Sequence, residues 1–208
     1  MKQGVILIGM MGVGKSAVGK LLSSRLGLSF VETDQLIEER GKSVSELFQI
    51  GEEHFRKIER SVCRALSQSL RGEQNDPLVI ARSVATKQSV VGKSEIASPL
   101  ARNDMCYVIA TGGGVPVDPV CWESVKTLGM TVYLKATPKS LCQRIKDKSS
   151  RPLLAGAQTE EEIERVLGDL LSVREPYYNS AETIIETDRL TAEKVCDQIL
   201  ERLECENI

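Results

Sequence analysis

The sequence predicts an α/β protein, a three-layer, doubly wound parallel sheet of five strands. Two observations carry that expectation. Five short runs rich in apolar and β-branched residues alternate with helical stretches along the 208 residues. The first run, GVILIG at 4–9, leads straight into the glycine-rich stretch GMMGVGKSAVGK at 9–20, a strand–loop–helix order. The length suits one domain, expected to span residues 1–208.

The run at 4–9 is continuously apolar, as in strands covered on both faces. A helix is expected from 15 to 26, with Val18, Leu21, Leu22 and Leu26 on one side and Gly27 as its stop. LSFVETD at 28–34 reads as the second strand. In SVSELFQIG, Ser43 and Glu46 stand at capping-box spacing. A long helix follows over 52–70, with Phe55, Ile58, Val62, Leu66 and Leu70 as its apolar stripe. YVIATGGG at 107–114 is the third strand and MTVYLKA at 130–136 the fourth. Thr137 and Pro138 open another helix as cap and first residue. Pro176 is expected to stop a helix that carries Arg174. TIIET at 183–187 is the fifth strand, before a closing helix near 191–203.

Residues 72–105 break this rhythm, being rich in Ser, Lys and Gly without clean periodicity. LVIA at 78–81 nearly repeats YVIA at 107–110, and the second is assigned to the sheet because it runs into TGGG. The stretch 72–105 is then a surface insertion. A net charge of −2 gives no reason to expect a nucleic-acid partner. The six cysteines include no C-x-x-C pair and there is one histidine, so a zinc site is not expected and a reducing, cytoplasmic setting is. No apolar run reaches the ~20 residues of a membrane span, and the N-terminal run is too short for a signal peptide. His54 is read as a surface helix residue without a role.

Residues 9–16 fit G-x-x-x-x-G-K-S. Glycines let successive backbone N–H groups turn inward on phosphate oxygens at a helix N-terminus that already favours an anion. Gly12, Val13, Gly14, Lys15, Ser16 and Ala17 are therefore the expected phosphate contacts. Lys15 would reach the β- and γ-phosphates, and the Ser16 hydroxyl would ligate Mg²⁺. No N-K-x-D guanine signature is present, and a motor or transporter would need a longer chain. Phosphoryl transfer from ATP to a small molecule is the remaining expectation, with acceptor groups at neighbouring strand ends.

Three features fall there. Asp34 ends the second strand, where it would accept or orient a hydroxyl proton, or simply cap the next helix. Arg56 and Glu59 lie one turn apart, as a binding pair or a solvated surface pair. Gly112, Gly113 and Gly114 form either a ligand-approach loop or a plain turn. Two further arginines follow, Arg144 on a helix and Arg151 at the start of a lid expected over about 148–158. Arg151 there would bring positive charge to the transferring phosphoryl group. Arg174 would face a substrate anion or complement a helix dipole.

Together these motifs resemble the shikimate kinase family, over nearly the whole chain outside 72–105. In order they are the phosphate loop at 9–16, T-D at 33–34, G-E-x-x-F-R-x-x-E at 51–59, T-G-G-G at 111–114, R-P-L-L at 151–154 and R-x-P-x-Y at 174–178. The resemblance implies phosphorylation of the 3-hydroxyl of shikimate by ATP with Mg²⁺, on the way to the aromatic amino acids. It implies strand order 2-3-1-4-5 and a lid. It also implies site roles: Asp34 on the acceptor hydroxyls, Arg56 and Arg174 on its carboxylate, and Glu59 behind Arg56. Gly113 and Gly114 would contact the acceptor through backbone, Arg151 would bridge the substrates, and Arg144 and Arg189 would flank adenine. Lys15, Asp34 and Arg151 are the catalytic set. A monomer is expected, with ATP and shikimate its partners.

The chain departs from the family pattern in three places. Glu32 stands where the family has the first Asp of Asp-x-Asp, and is expected to reach magnesium through a water. The insertion at 72–105 is not typical, and TDRLTAEK lacks the usual adenine-loop proline. The alternatives are a related kinase, such as one acting on gluconate, and a non-catalytic binding relative.

Overall fold

The computed structural model describes residues 4–72, 107–145 and 151–205. Within them a five-stranded sheet forms in the order β2-β3-β1-β4-β5, every neighbouring pair parallel. The strands are β1 (Gly4–Ile8), β2 (Ser29–Glu32), β3 (Tyr107–Ala110), β4 (Met130–Lys135) and β5 (Thr183–Glu186). The run 107–110 takes the slot beside β1, while 78–81 lies outside the described residues.

The helices are α1 (Lys15–Leu26), α2 (Thr33–Glu38), α3 (Val44–Ile50), α4 (Glu52–Leu70), α5 (Pro119–Val125), α6 (Pro138–Arg144), α7 (Glu160–Tyr178) and α8 (Ala192–Cys205). α1 packs on β3, β2 and β1 and against α8, while α4 packs on α2, α3 and α5. The core follows from the apolar runs: Val5, Ile6, Leu7 and Ile8 are fully buried, and β4 is nearly so.

Local chemistry sets the ends. α1 stops at Gly27 in the left-handed region (φ 67°), whose N–H donates to Ser23 O. Ser43 and Glu46 complete a capping box at α3, and Thr137 caps α6 with Pro138 at its first position. Asp118 caps α5 by accepting from Val120 N–H (3.0 Å) and Cys121 N–H (3.1 Å). Sequence reading missed this helix, although Asp118 and Pro119 open it as Thr137 and Pro138 open α6.

Two expectations are corrected. The second strand does not reach Asp34: it ends at Glu32, and Thr33–Glu38 coils into α2, burying Leu36 and Ile37. Pro176 does not stop its helix either. α7 continues to Tyr178 because the carbonyl that proline strips of a donor belongs to Ser172, which is exposed and can turn to water. Tyr178 is fully buried and anchors the last turn.

The chain order explains where a site must form. β1 feeds α1 towards β2 on one side, whereas β3 leads on to β4 on the other. Their carboxyl ends therefore flank the crevice where strand order reverses. β1 runs into the phosphate loop and β3 into the three glycines.

Candidate active site

The two loops emerge side by side. Thr111 ties them, donating from N–H and from its hydroxyl to Leu7 O, each at 3.1 Å. In the phosphate loop, Gly12 (φ 79°) and Gly14 (φ 104°) adopt left-handed backbone that a side chain would strain. Lys15 Nζ donates to Gly9 O and Met10 O, each at 2.9 Å. Burial lowers its pKa to about 8, with Arg151 and Arg174 adding to the fall and Asp34 and Glu32 opposing it. Val13 is buried beneath the loop, and Ala17 is exposed on the first turn of α1. Ser16 Oγ donates a short bond to the Glu32 carboxylate at the end of β2. A hydroxyl and a carboxylate brought together beside the loop are hard oxygen donors of the kind magnesium takes.

Arg144, at the end of α6, donates to Val13 O (3.3 Å), to Thr187 Oγ1 (2.9 Å) and, over a shorter distance, to Thr187 O. It thereby clips the phosphate loop to the turn after β5. Arg189 is exposed on that same turn.

Beside the phosphate loop lies a cleft. Asp34, Arg56, Glu59, Arg151, Arg174 and the three glycines line it, with Met11, Val44, Phe48, Phe55, Pro152 and Leu153 as an apolar wall. Asp34, in the first turn of α2, does not cap that helix: Glu32 holds the cap position and makes no side-chain cap bond. Burial raises the Asp34 pKa, with Glu32 and Glu38 adding to it and Lys15 and Arg151 opposing.

Arg56 and Glu59 are not a solvated pair. Glu59 is 1% exposed and accepts from Arg56 Nη1 at 2.6 Å. Arg56 also meets Glu52 at 3.1 Å and lies 5.3 Å from the Phe55 ring centroid. Burial alone would lower the Arg56 pKa, but Glu59 and Glu52 together raise it; burial raises that of Glu59 against the pull of Arg56.

Two of the glycines lie tight against side-chain ends of the cleft. A Cβ on Gly112 would stand 2.6 Å from Asp34 Oδ1 and 3.2 Å from Glu59 Oε1, and one on Gly114 would overlap the Arg56 guanidinium. Gly112 N–H donates to Thr33 Oγ1 at 2.8 Å, which fixes the loop to the start of α2. Arg174 is 8% exposed, and its Nη1 lies 3.4 Å from where a Gly113 Cβ would stand. Arg151 precedes a short 3₁₀ turn, Pro152–Leu154, and faces both Lys15 and Asp34. Residues 146–150, which include 148–150 of the expected lid, and 73–106, which hold nearly all of the expected insertion, lie outside the described residues.

The structure thus gathers Asp34, Arg56, Glu59, Gly113, Gly114, Arg151 and Arg174 around one cleft, and does not bring residues 12–17, Arg144 or Arg189 into its lining. Sequence reading missed the apolar wall. Val44 and Phe48 sit on the helix that the capping box predicted, but spacing alone does not say which face a helix turns to a cleft. It also missed Thr33, and the ion pair of Arg60 Nε with Asp118 (2.7 Å) that ties α4 to the cap of α5.

The model of the family described as shikimate kinase matches residues 11–81 and 91–204, so the stretch it leaves unmatched between them is 82–90. A shikimate kinase of Chlorobium chlorochromatii is 34% identical over 206 residues, covering 96% of this chain and 90% of the relative. One of Legionella pneumophila (strain Corby) is 35% identical over 202 residues, covering 96% and 93%. Among solved structures, a shikimate kinase of Acinetobacter baumannii in complex with shikimate superposes with a TM-score of 0.75 at 28% identity, covering 100% of this chain and 96% of that one. A shikimate kinase of Bacteroides thetaiotaomicron gives 0.72 at 28% identity, covering 97% and 98%.

Proposed function

The chain belongs to the shikimate kinase family, and from that premise we propose that it transfers the γ-phosphoryl group of ATP to the 3-hydroxyl of shikimate. The observation that carries this reading is the cleft beside the phosphate loop. It brings two arginines, Arg56 and Arg174, a half-buried carboxylate, Asp34, and an apolar wall into one lining. A ring acid with vicinal hydroxyls needs those features: forked cations for its carboxylate, an acceptor for its hydroxyl proton, and an apolar face for the ring.

In the reaction, Arg56 and Arg174 hold the acceptor carboxylate, with Glu59 keeping Arg56 aimed. Gly113 and Gly114 allow the ring close to the backbone. Asp34 takes the proton of the attacking hydroxyl as its oxygen bonds to the γ-phosphorus and the bond to the β-phosphate oxygen breaks, leaving ADP. Its raised pKa makes it a stronger base than an exposed aspartate. Lys15 and Arg151 hold the charge on the transferring group. Ser16, with Glu32 beside it, would hold the magnesium ion, which supplies neutralisation of the phosphate charge when bound. Arg144, and Arg189 on the same side, flank the adenine.

The test is ADP formation from ATP and Mg²⁺ with shikimate, quinate or gluconate as acceptor. Turnover that depends on shikimate, on the scale of about 1–100 s⁻¹, is expected. Preference for gluconate, or ATP binding without turnover on any acceptor, would overturn the assignment.

A further inference from the structure

Tyr178 takes no part in the steps above, yet its hydroxyl lies where three functional segments meet. The residue closes α7 and is fully buried. Its Oη donates to Gly113 O at 2.6 Å and lies 3.5 Å from Met10 Sδ, in the phosphate loop. Arg174, one helical turn earlier, lies near enough for its charge to act on the same hydroxyl. The hydroxyl has one proton, and the shorter of its two contacts gives it to Gly113 C=O.

The consequence lies across the peptide plane. In a trans peptide the Gly113 carbonyl and the Gly114 N–H point in opposite directions. No cis peptide is present among the described residues, and Gly114 lines the acceptor cleft. Two glycines in succession leave that peptide little torsional restraint of its own. Holding the carbonyl against Tyr178 turns the Gly114 N–H the other way.

We infer that Tyr178 is a positioning residue: its hydroxyl locks the Gly113–Gly114 peptide so that the Gly114 N–H meets the acceptor at a set distance from the phosphate loop. The inference rests on the reading of shikimate as acceptor.

Tyr178→Phe keeps the ring, removes the hydroxyl, and takes from Gly113 C=O the donor it has there. The KM for shikimate is expected to rise about tenfold, the effect of roughly one hydrogen bond, with the KM for ATP unchanged. Tyr133→Phe is the control. Its ring stacks on Tyr178 at 5.1 Å, and its buried hydroxyl has no partner among the described residues. Both KM values should stay at wild type. If Tyr178→Phe loses only stability and folded fraction, with both KM values unchanged, the assignment is wrong. It is equally wrong if Tyr133→Phe raises the shikimate KM as much. Should the Tyr178→Phe variant not fold, the wild-type Gly114 amide carries the test by NMR. A downfield shift of its proton on adding shikimate supports the assignment, and an unmoved resonance overturns it. Wild-type protein without shikimate turnover would overturn the functional reading itself, which separates the two failures.

Discussion

Nucleotide binding should weaken with rising pH through the range where Lys15 loses its proton. The Lys15 ammonium is buried against two loop carbonyls, and its pKa is lowered to about 8. Triphosphate oxygens arriving beside it favour the charged form, so the bound complex has the higher pKa and the nucleotide takes the protonated enzyme. Affinity is then fully present below pH 8 and falls above it, until the pKa of the complex is reached. The factor is 1 + 10^(pH − 8): about 1.1 at pH 7, about 2 at pH 8 and about 11 at pH 9, or ~1.4 kcal/mol between the extremes. The nucleotide adds little slope of its own, since the last phosphate ionisation lies near about 6. Titration calorimetry in two buffers of different ionisation enthalpy should record uptake of about half a proton at pH 8 and about 0.9 at pH 9. Lys15→Arg stays charged over this range, so its binding, though weaker, should be flat with pH. Constant wild-type affinity from pH 7 to 9 without proton uptake would refute the reasoning. A Lys15→Arg protein with the wild-type slope would assign the proton to another group.

Three further outcomes are expected. Arg56→Ala should weaken shikimate by ~2–5 kcal/mol, because it strips a buried carboxylate of its partner; equal losses for shikimate and ATP in steady-state kinetics would place Arg56 outside the acceptor site. Asp34→Asn should lower kcat by about 10²–10⁴. In the wild type, activity requires ionised Asp34, so it is present above the folded pKa and lost as pH falls through it. Since burial raises that pKa, the acid limb of kcat/KM should lie above the ordinary 3.8, and a limb at or below that value counts against Asp34 as base. Gly112→Ala forces a methyl to 2.6 Å from Asp34 Oδ1 and should cost about 100-fold in kcat/KM for shikimate, with circular dichroism unchanged. Activity within threefold of wild type would show that Asp34 has room to move.

Much of the fold could be read locally. α1, the capping box of α3, the whole of α4 and the start of α6 fall where glycine, capping and apolar spacing put them. These signals act within a few residues, so tertiary context had little to override. The errors arose where a distant partner decided. β2 stops at Glu32 because Ser16 and Thr33 take up the strand end and the glycine loop. α7 passes Pro176 because Tyr178 docks on Gly113.

Among the site residues, the sequence by itself determined the phosphate loop: eight consecutive residues whose glycine torsions and lysine make the cradle almost wherever the strand and helix lie. It determined the residue types on the acceptor side too, but as separate motifs open to dull readings. Only the tertiary structure decided that Arg56 and Glu59 form a buried pair rather than a solvated one, since one helical turn of spacing is the same in both cases and burial depends on α4 facing the glycine loop. It decided the tight fit at Gly112 and Gly114 as well, which follows from side chains 78 and 58 positions earlier in the chain, Asp34 and Arg56, lying against them. Parallel order β2-β3-β1 is what brings those distant segments to one crevice, and no local pattern encodes which strand ends become neighbours.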